Sequence, residues 1–342
     1  MPNPDKPNLV TFALLAYNQE KVIAEAVKGA LSQSYSPLEI IISDDCSTDR
    51  TFSVIQSTVK DYRGPHKRII LRRNETNLGM ISHLNSVMKI AQGELIVAAA
   101  GDDISLPQRT GRIYEEYLRS NKRALSIFTN AVIIGENGVQ KGLIYRHSPS
   151  PLQLTSHSLV RNLSGIAGCT HAWDRRIFDI FGPIPNDIYA EDMVLPFRSS
   201  LLGEIRYIDE PLVLYRENSD RVRSRLDLNV YKERMRYKNS YSIRICDCWT
   251  SDIHTAETYC HKYFEYYNSL LLKVYHTRNM LQITKDIFDL DVLSRVHRLI
   301  HMYRYKEILA GDFRWMLQFA APRLSFIIGL LYLRIRPLIT RS

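Results

Sequence analysis

The chain has 342 residues, 45% of them hydrophobic, and a formal net charge of +9. Residues 221–342 hold 21 Lys+Arg against 11 Asp+Glu, whereas residues 1–220 hold 24 against 25, so the positive excess lies entirely in the last third. No nucleic-acid-binding motif accompanies that excess, which excludes nucleic acid as the expected partner. The apolar content predicts one large domain with an appendage, and the charge predicts two regions with different roles, residues 1–220 and 221–342.

The cysteines and the first residues indicate a reducing compartment. Five cysteines, an odd number, are scattered along the chain, which predicts free thiols in the cytoplasm. The polar, proline-rich residues 1–7 predict no signal peptide. Cys246, Cys248, Cys260 and His261 have a spacing that fits no common zinc site, so no zinc is expected there.

Strands and helices alternate along the first hundred residues. Short apolar runs predict strands at 9–16, 38–43, 67–72 and 95–100, and helical apolar spacing predicts helices at 19–32, 51–62 and 80–92. Asn18 is the predicted N-cap of the first helix. This alternation predicts right-handed crossovers and an α/β fold with a mostly parallel sheet flanked by helices.

Two adjacent carboxylates, Asp102 and Asp103, follow the apolar run 95–100 and Gly101. They would repel each other unless a cation lies between them and a partner. The carboxyl edge of such a sheet is where ligands bind, so a metal bridging to an anionic substrate is one interpretation. The other is that the pair caps a helix beginning near Pro107.

A second acidic pair, Asp44 and Asp45, follows the second predicted strand. These residues could bind a ligand, or they could serve as cap and turn residues of the next helix. No G-x-G-x-x-G pattern follows the first strand, where 15–19 reads LAYNQ, which disfavours a dinucleotide site. The pattern instead favours a nucleotide held by acceptor groups, aromatic stacking and a metal.

A series of motifs in fixed order resembles the family-two glycosyltransferases of the GT-A (Rossmann-like) fold, over residues 8–218. The motifs are Ala16-Tyr17-Asn18, Ile42-Ser43-Asp44-Asp45-Cys46-Ser47-Thr48-Asp49, Asn77-Leu78-Gly79, Gly93-Glu94-Leu95-Ile96, Gly101-Asp102-Asp103-Ile104-Ser105-Leu106-Pro107, Phe181-Gly182-Pro183, Glu191-Asp192 and Glu210-Pro211-Leu212-Val213-Leu214-Tyr215-Arg216. The resemblance implies a nucleotide-sugar-binding and catalytic domain in residues 1–220.

The resemblance also implies roles for residues on the donor side. Tyr17 would lie near the nucleotide base, and Asp45 would accept a hydrogen bond from a uracil or thymine ring. Asp102 would bind a divalent metal, Mg²⁺ or Mn²⁺, that bridges the diphosphate, with Asp103 in support. Arg216 would lie over the diphosphate.

On the acceptor side, the resemblance implies that Asp192 is the general base that deprotonates the acceptor hydroxyl. Asp187 and Glu191 are near enough in sequence to compete for this role, and the Glu191-Asp192 pair could instead form the first turn of a helix running to Leu202. His171 and Trp173 could line the acceptor site or belong to the core.

The implied reaction is a single in-line displacement that inverts the anomeric centre. UDP-hexose is the favoured donor and dTDP-rhamnose the next, with a lipid-linked saccharide of bacterial surface-polysaccharide synthesis as acceptor. Ala100 replaces the first Asp of the usual D-x-D motif, which leaves open a catalytically silent nucleotide-sugar-binding or scaffold protein. A nucleotidyltransferase would need a glycine-rich phosphate loop near the first strand.

The basic last third predicts helices over about 226–309, packing on themselves or on a second copy in a homodimer. The mainly apolar stretch 324–333 has ten residues, too few to span a bilayer, which needs about 20. Aromatic and arginine residues flank them, which favours a helix on anionic lipid at the inner face of the cytoplasmic membrane. An ordinary core or dimer helix is the alternative.

Overall fold

The computed structural model describes residues 8–65, 68–135, 137–149, 154–189, 191–217, 228–260 and 264–288. The apolar segment 324–333 and its basic flanks lie outside these residues, as does His261. The chain divides into two compact units, Met1–Glu217 with Asp247–Val274, and Asn218–Cys246 with Tyr275–Ser342. The domain boundary expected after residue 220 stays a prediction.

The first half of the chain alternates strands and helices as the apolar pattern predicts. Its elements are β1 (Val10–Ala16), α1 (Ile23–Leu31), β2 (Leu38–Asp44), α2 (Thr51–Lys60), β3 (Arg68–Arg73), α3 (Met80–Met88), β4 (Leu95–Ala100), β5 (Ile104–Ser105) and α4 (Arg109–Arg119). Strands β3, β2, β1 and β4 are neighbours in that order, and all three pairings are parallel.

The second half completes a nine-stranded mixed sheet. Its elements are β6 (Ala124–Ile134), β7 (Gln140–Leu143), α5 (Ser156–Asn162), a 3₁₀ turn (Gly168–Thr170), β8 (His171–Asp174), α6 (Arg176–Phe181), α7 (Val194–Leu202) and β9 (Glu204–Arg216). The full order is β3-β2-β1-β4-β8-β6-β9-β5, with β7 paired to β6. β8 runs antiparallel to both neighbours, whereas β6 and β9 are parallel. The α/β class with a helix-flanked sheet is confirmed.

The core lies between the central strands and the helices that cover them. Phe12 of β1, Ile40 of β2 and Val97 of β4 have no exposed surface, and they belong to one cluster with Val27 of α1 and Tyr117 of α4. Full burial of each large apolar side chain contributes about 1.5–3 kcal/mol relative to exposure. This cluster fixes the central strands, and with them the loops at their carboxyl ends.

The prediction that Asn18 caps the first helix is wrong, because that helix begins at Ile23 and its N-cap is Val22. The intervening amides bond across the sheet edge instead. Asn18 N–H donates to Oγ of Ser47 at 2.9 Å, and Gln19 N–H donates to Oγ1 of Thr51 at 2.7 Å. The backbone N–H groups of this loop therefore have hydrogen-bond partners although the loop is not helical. Asn18 has a left-handed φ of 51°, a conformation that asparagine adopts more readily than most residues.

Two helices follow the sheet among the residues described beyond 217, as predicted for this segment. They are α8 (Leu228–Tyr259) and α9 (Phe264–Phe288). The residues 247–259 and 264–274 of these helices belong to the sheet-containing unit. Within the described part of the chain, no helix combines the length and apolar character needed to cross a membrane.

Candidate active site

The carboxyl ends of β1, β2 and β4 meet at one edge of the sheet. Ala16 pairs with Asp44, and Leu15 pairs with Ala100. Backbone hydrogen bonds continue one step beyond the strands, from Asp45 N–H to Ala16 O and from Gly101 N–H to Leu15 O, both at 2.9 Å. The residues after each strand therefore emerge together, at the edge where open α/β sheets bind ligands.

Asp45 is buried at this edge and held by the loop after β3. Its Oδ1 accepts from Asn74 Nδ2 at 2.6 Å and from Leu78 N–H at 2.9 Å, and its Oδ2 accepts from Gly79 N–H at 2.9 Å. A carboxylate has about four acceptor positions, so one remains for a ligand donor. Tyr17, in the neighbouring loop, is 45% exposed.

Asp44, the neighbour of Asp45, is occupied by its own turn. Its carboxylate accepts from the hydroxyl of Ser47 and, at 3.0 Å, from the Ser47 backbone N–H. Arg73 of β3 lies 3.3 Å away, Nε to Oδ2. Asp44 therefore acts as a turn residue. Asp45 still has one acceptor position available for a ligand at this edge of the sheet.

The two carboxylates of the Asp102-Asp103 doublet have different environments. Asp103 is 4% exposed, and its Oδ1 accepts the Arg216 backbone N–H at 2.8 Å. Burial, reinforced by the charge of Asp102, raises the pKa of Asp103 to about 7, and the neighbouring Cys169 thiol acts in the opposite direction. Asp102 is half-buried at the strand end. The Asp103 carboxylate thus holds β9 against the turn by a hydrogen bond, and Asp102 is the more accessible carboxylate of the pair at the sheet edge.

The doublet does not cap the following helix. Helix α4 begins at Arg109, its N-cap is Gln108, and no side chain caps it. Arg216 instead packs against the doublet, with Nε 3.2 Å from the carbonyl oxygen of Asp102 and Nη2 3.3 Å from Glu25. Its side chain is 12% exposed.

A fully buried guanidinium, that of Arg109, lies behind the doublet. Its Nη1 donates to Oγ of Ser105 at 2.8 Å, while Nε and Nη2 have no hydrogen-bond partner among the described residues. Burial lowers the pKa of Arg109 to about 10, although the charges of Cys169 and Asp103 act in the opposite direction. Arg109 therefore supplies a buried positive charge near two acidic groups.

Glu191 and Asp192 lie in the turn before α7 rather than inside the helix. The carbonyl of Glu191 accepts the N–H groups of Val194 and Leu195, each at 3.0 Å, and that of Asp192 accepts Ile166 N–H at 3.0 Å. Burial raises the pKa of both carboxyls, and for Glu191, where the charge of Asp192 adds to it, to about 7. Both groups are thus tuned to exchange protons nearer neutral pH.

The 3₁₀ turn Gly168–Thr170 lies near both acidic pairs of the site, Asp102-Asp103 and Glu191-Asp192. Its Cys169 is close enough to Asp103 to affect the pKa of that carboxyl. A Cβ atom at Gly168 would overlap Oε1 of Glu191, so the turn also approaches Glu191 closely. The hydroxyl of Tyr145 accepts Ala167 N–H at 3.0 Å, and its pKa is raised chiefly by burial and also by Cys169 and Asp192. The structure therefore brings the doublet and the Asp192 turn together.

His171 and Trp173 lie inside the core on β8, with no exposed surface. Nε2 of His171 bonds to Oγ of Ser126, and burial lowers the pKa of the imidazole to about 3. This environment fits the core interpretation of both residues. Nδ1 of His171 and Nε1 of Trp173 have no partner among the described residues.

The described residues contain no group of three or more His, Cys, Asp or Glu side chains that could hold a metal. A hard divalent ion can, however, be bound through one or two carboxylates and substrate phosphate oxygens. Because Asp103 is buried and accepts the Arg216 backbone N–H, Asp102 is the carboxylate that fits this arrangement.

Three residues of the site carry no sequence signal that identifies them. Cys169 and Tyr145 are distant in sequence from the doublet. Cys169 lies near Asp103 in the 3₁₀ turn, and Tyr145 bonds to Ala167, the residue before that turn. Arg109 follows Pro107 closely, but nothing in the local pattern indicates that its charge is buried. Long-range packing decides all three positions.

The chain is similar to several known proteins. Residues 11–181, half of the chain, match the family model "Glycosyl transferase family 2". The "Putative glycosyltransferase EpsE" of Bacillus subtilis is 33% identical over 142 residues, 42% of this chain and 50% of that protein. The Escherichia coli protein WfgD, named "UDP-Glc:alpha-D-GlcNAc-diphosphoundecaprenol beta-1,3-glucosyltransferase", is 27% identical over 174 residues, 51% of this chain and 63% of that protein.

Among solved structures, Staphylococcus aureus TarS 1–349 in complex with UDP-GlcNAc has a TM-score of 0.52. The match covers 94% of this chain and 92% of that one at 17% identity, so this likeness concerns the fold. The segment matched in EpsE spans half the length of that relative. With the family model covering half of the chain, including β1 to β4 and the acidic pairs that follow β2 and β4, the chain belongs to glycosyl transferase family 2.

Proposed function

We propose that this protein is an inverting, metal-assisted glycosyltransferase that moves a hexose from a nucleotide sugar to a lipid-linked saccharide. The observation that carries the proposal is the grouping of Asp45 and Asp102 at one sheet edge, with the Asp192 turn joined to it through Gly168–Thr170. A catalyst for this reaction needs a site for the nucleotide base, a site for the diphosphate and a group that takes the proton of the acceptor hydroxyl, arranged in that order in space.

For the donor, we propose that Tyr17 stacks on the base and that Asp45 accepts its imide N–H. The exposed ring and the remaining acceptor position of Asp45 support a uracil or thymine base. UDP-hexose is favoured because WfgD and WfaP of Escherichia coli are named as UDP-Glc-dependent glucosyltransferases. dTDP-rhamnose is the next choice.

We propose Asp102 as the protein ligand of a Mg²⁺ or Mn²⁺ ion. Such an ion, when bound, stabilises negative charge on the leaving diphosphate. One fold neighbour, a mannosyltransferase of Pyrobaculum calidifontis, has been solved in complex with GDP-Man and Mn²⁺. Asp103 and Arg216 hold the turn that carries Asp102, and Arg216 lies beside the position proposed for the diphosphate.

Asp192 is proposed as the general base. The acceptor hydroxyl gives its proton to the Asp192 carboxylate as its oxygen bonds to the anomeric carbon, and the bond from that carbon to the diphosphate oxygen breaks. The nucleoside diphosphate leaves with the bonding electron pair, and the anomeric centre is inverted. General base catalysis of this kind contributes about 10²–10⁴-fold.

The proposed acceptor is supported by the names of two relatives, and the proposed location is supported by the sequence of the C-terminal tail. WfgD and WfaP are named for a GlcNAc-diphosphoundecaprenol acceptor, which supports a lipid-linked saccharide. The apolar segment 324–333 with its arginines supports peripheral binding at the inner face of the cytoplasmic membrane. A homodimer contact is the alternative role of that segment.

The test is nucleoside diphosphate release from a panel of UDP, dTDP and GDP sugars, with Mg²⁺ or Mn²⁺, with and without lipid-diphosphate saccharides. Release that increases with acceptor is the expected result. Binding of a nucleotide sugar without release in any mixture would instead favour the silent binding protein, which the replacement of an Asp by Ala100 leaves open.

A further inference from the structure

The Asp247–Tyr259 part of α8 contacts the segment that carries Asp192. Trp249 is fully buried, and its Nε1–H donates to the carbonyl oxygen of Met193 at 3.1 Å. The indole also stacks on Phe197 of α7, with 4.7 Å between ring centroids. A buried indole N–H requires an acceptor, and here the acceptor is the backbone of the residue that follows Asp192.

A second contact lies one turn farther along α8. Nε of Arg198 in α7 donates to both carboxylate oxygens of Asp252, at 3.0 and 3.1 Å, and the two side chains are 2% and 5% exposed. Nη1 of Arg198 also donates to the carbonyl of Gly182 at 2.8 Å. Removing one partner of a buried pair is strongly destabilising, so this contact fixes α8 against α7 and sets where Trp249 lies.

The Asp192 turn is held at three consecutive carbonyls. Those of Glu191 and Asp192 accept backbone N–H groups, whereas that of Met193 accepts the indole of Trp249. We propose that Trp249 is a positioning residue for Asp192, so that a helix outside the family-matched residues 11–181 completes the active site. This inference rests on the proposed role of Asp192 as general base.

The chain offers a matched control at the other end of α7. The hydroxyl of Tyr267 in α9 donates to the carbonyl of Leu201 at 3.0 Å. Trp249→Phe removes a side-chain hydrogen bond to the carbonyl of Met193, the N-cap residue of α7, and Tyr267→Phe removes one to the carbonyl of Leu201 near the other end of the helix, far from Asp192. Ile253→Val, on the same buried side of α8, reproduces a loss of packing without any polar change.

We expect Trp249→Phe to lower kcat by about tenfold or more, because small misplacement of a reacting group is costly to catalysis. KM for the nucleotide sugar should stay within about twofold, since donor contacts are untouched. Tyr267→Phe and Ile253→Val should keep the kcat of the wild type at a temperature where all variants are folded. An equal loss of kcat in all three variants would overturn the proposal.

A second readout needs no substrate. The Ile166 amide bonds to the carbonyl of Asp192, so its hydrogen exchange, followed by NMR, reports on the turn. Exchange of Ile166 should be faster in Trp249→Phe than in Tyr267→Phe and Ile253→Val, and equal exchange in the three variants would refute positioning by Trp249. If the wild type releases no nucleoside diphosphate from any sugar nucleotide, the proposed function fails, while the exchange result still decides whether Trp249 holds the turn.

Discussion

Asp102 and Asp103 are adjacent in sequence but differ in what they can do. The Asp103 carboxylate accepts the Arg216 backbone N–H, so its role is to join the turn to β9. Asp102 contributes only its carbonyl oxygen to the contacts with Arg216 and is half-buried at the sheet edge. This division follows from the paths of β4 and β9, which no local pattern around the doublet specifies.

Asp102→Asn tests the proposed metal role. The amide keeps the shape of the side chain but loses the negative charge that a hard cation prefers in a ligand. The Mn²⁺ concentration for half-maximal activity should therefore rise by at least about tenfold, since even changes to the hydrogen-bond partners of metal ligands lower metal affinity or activity by about 10–100-fold. Activity at saturating Mn²⁺ should fall less. A Mn²⁺ titration of both proteins after chelation measures this, and an unchanged half-maximal concentration would count against Asp102 as ligand.

Asp192→Asn tests the proposed base. We expect kcat to fall by about 10²–10⁴-fold, because the amide cannot accept the hydroxyl proton. Burial raises the pKa of Asp192, so wild-type activity should fall as pH decreases through that raised value, and this acid limb should be absent from any residual activity of the variant. Asp187→Asn, at an exposed site on the preceding loop, is the control. A larger loss in that control would transfer the role to Asp187.

Glu191→Gln separates a stability effect from the chemistry. Burial raises the folded-state pKa of Glu191 from 4.5 to about 7, so the folded protein binds this proton more tightly than the unfolded chain does. Stability from this group is therefore present below pH 4.5 and is lost as pH rises towards 7. The glutamine variant should gain up to about 3 kcal/mol over the wild type at pH 8, with no gain at pH 4.5, in denaturant unfolding. A gain independent of pH would contradict this assignment.

At the scale of elements, the strands of the first half are predictable and their connections are not. β1, β2 and β4 agree with the sequence-based bounds to within one residue, because each is a near-continuous apolar run. The start of α1 differs by four residues, since Ser47 and Thr51 bond the loop that precedes it. The hydrogen bond from Trp249 to Met193 joins residues that are 56 positions apart, which periodicity cannot reveal.

Two helical glycines show how the elements constrain each other. A Cβ atom at Gly29 of α1 would lie 2.9 Å from the carbonyl oxygen of Ser105 in β5, whereas one at Gly111 of α4 would meet nothing within 4 Å. Gly29→Ala should therefore cost about 1–3 kcal/mol through overpacking, and Gly111→Ala should stabilise by up to about 1 kcal/mol through helix propensity. Denaturant unfolding of the two variants measures both, and equal effects would contradict this packing of α1 against β5.

At the scale of the whole molecule, the sheet-containing unit includes residues 247–274 as well as Met1–Glu217. Trp249, Asp252 and Tyr267 bond to α7 at its start, its middle and its end. The family model ends at residue 181, so these contacts belong to a part of the chain that the family pattern does not describe. Within this unit, α8 thus contacts the turn that carries Asp192, whereas α9 bonds to the far end of α7.

The charge asymmetry of the chain leads to a prediction about the tail. Residues 313–342 combine an apolar run with arginines, a composition suited to an anionic lipid surface. The full chain should therefore float with vesicles that contain phosphatidylglycerol and should float less with pure phosphatidylcholine. A chain ending at Gly311 should remain at the bottom of the gradient in both cases.

Two controls separate lipid binding from self-association. Replacing Arg334, Arg336 and Arg341 by Gln keeps the apolar run and removes charge, so it should weaken flotation with phosphatidylglycerol, by about 1 kcal/mol for each arginine near the surface. Light scattering of the full and shortened chains without lipid measures the homodimer alternative. Equal flotation of the shortened chain would refute membrane docking, and a loss of dimer on shortening, with flotation unchanged, would assign the tail to a second copy.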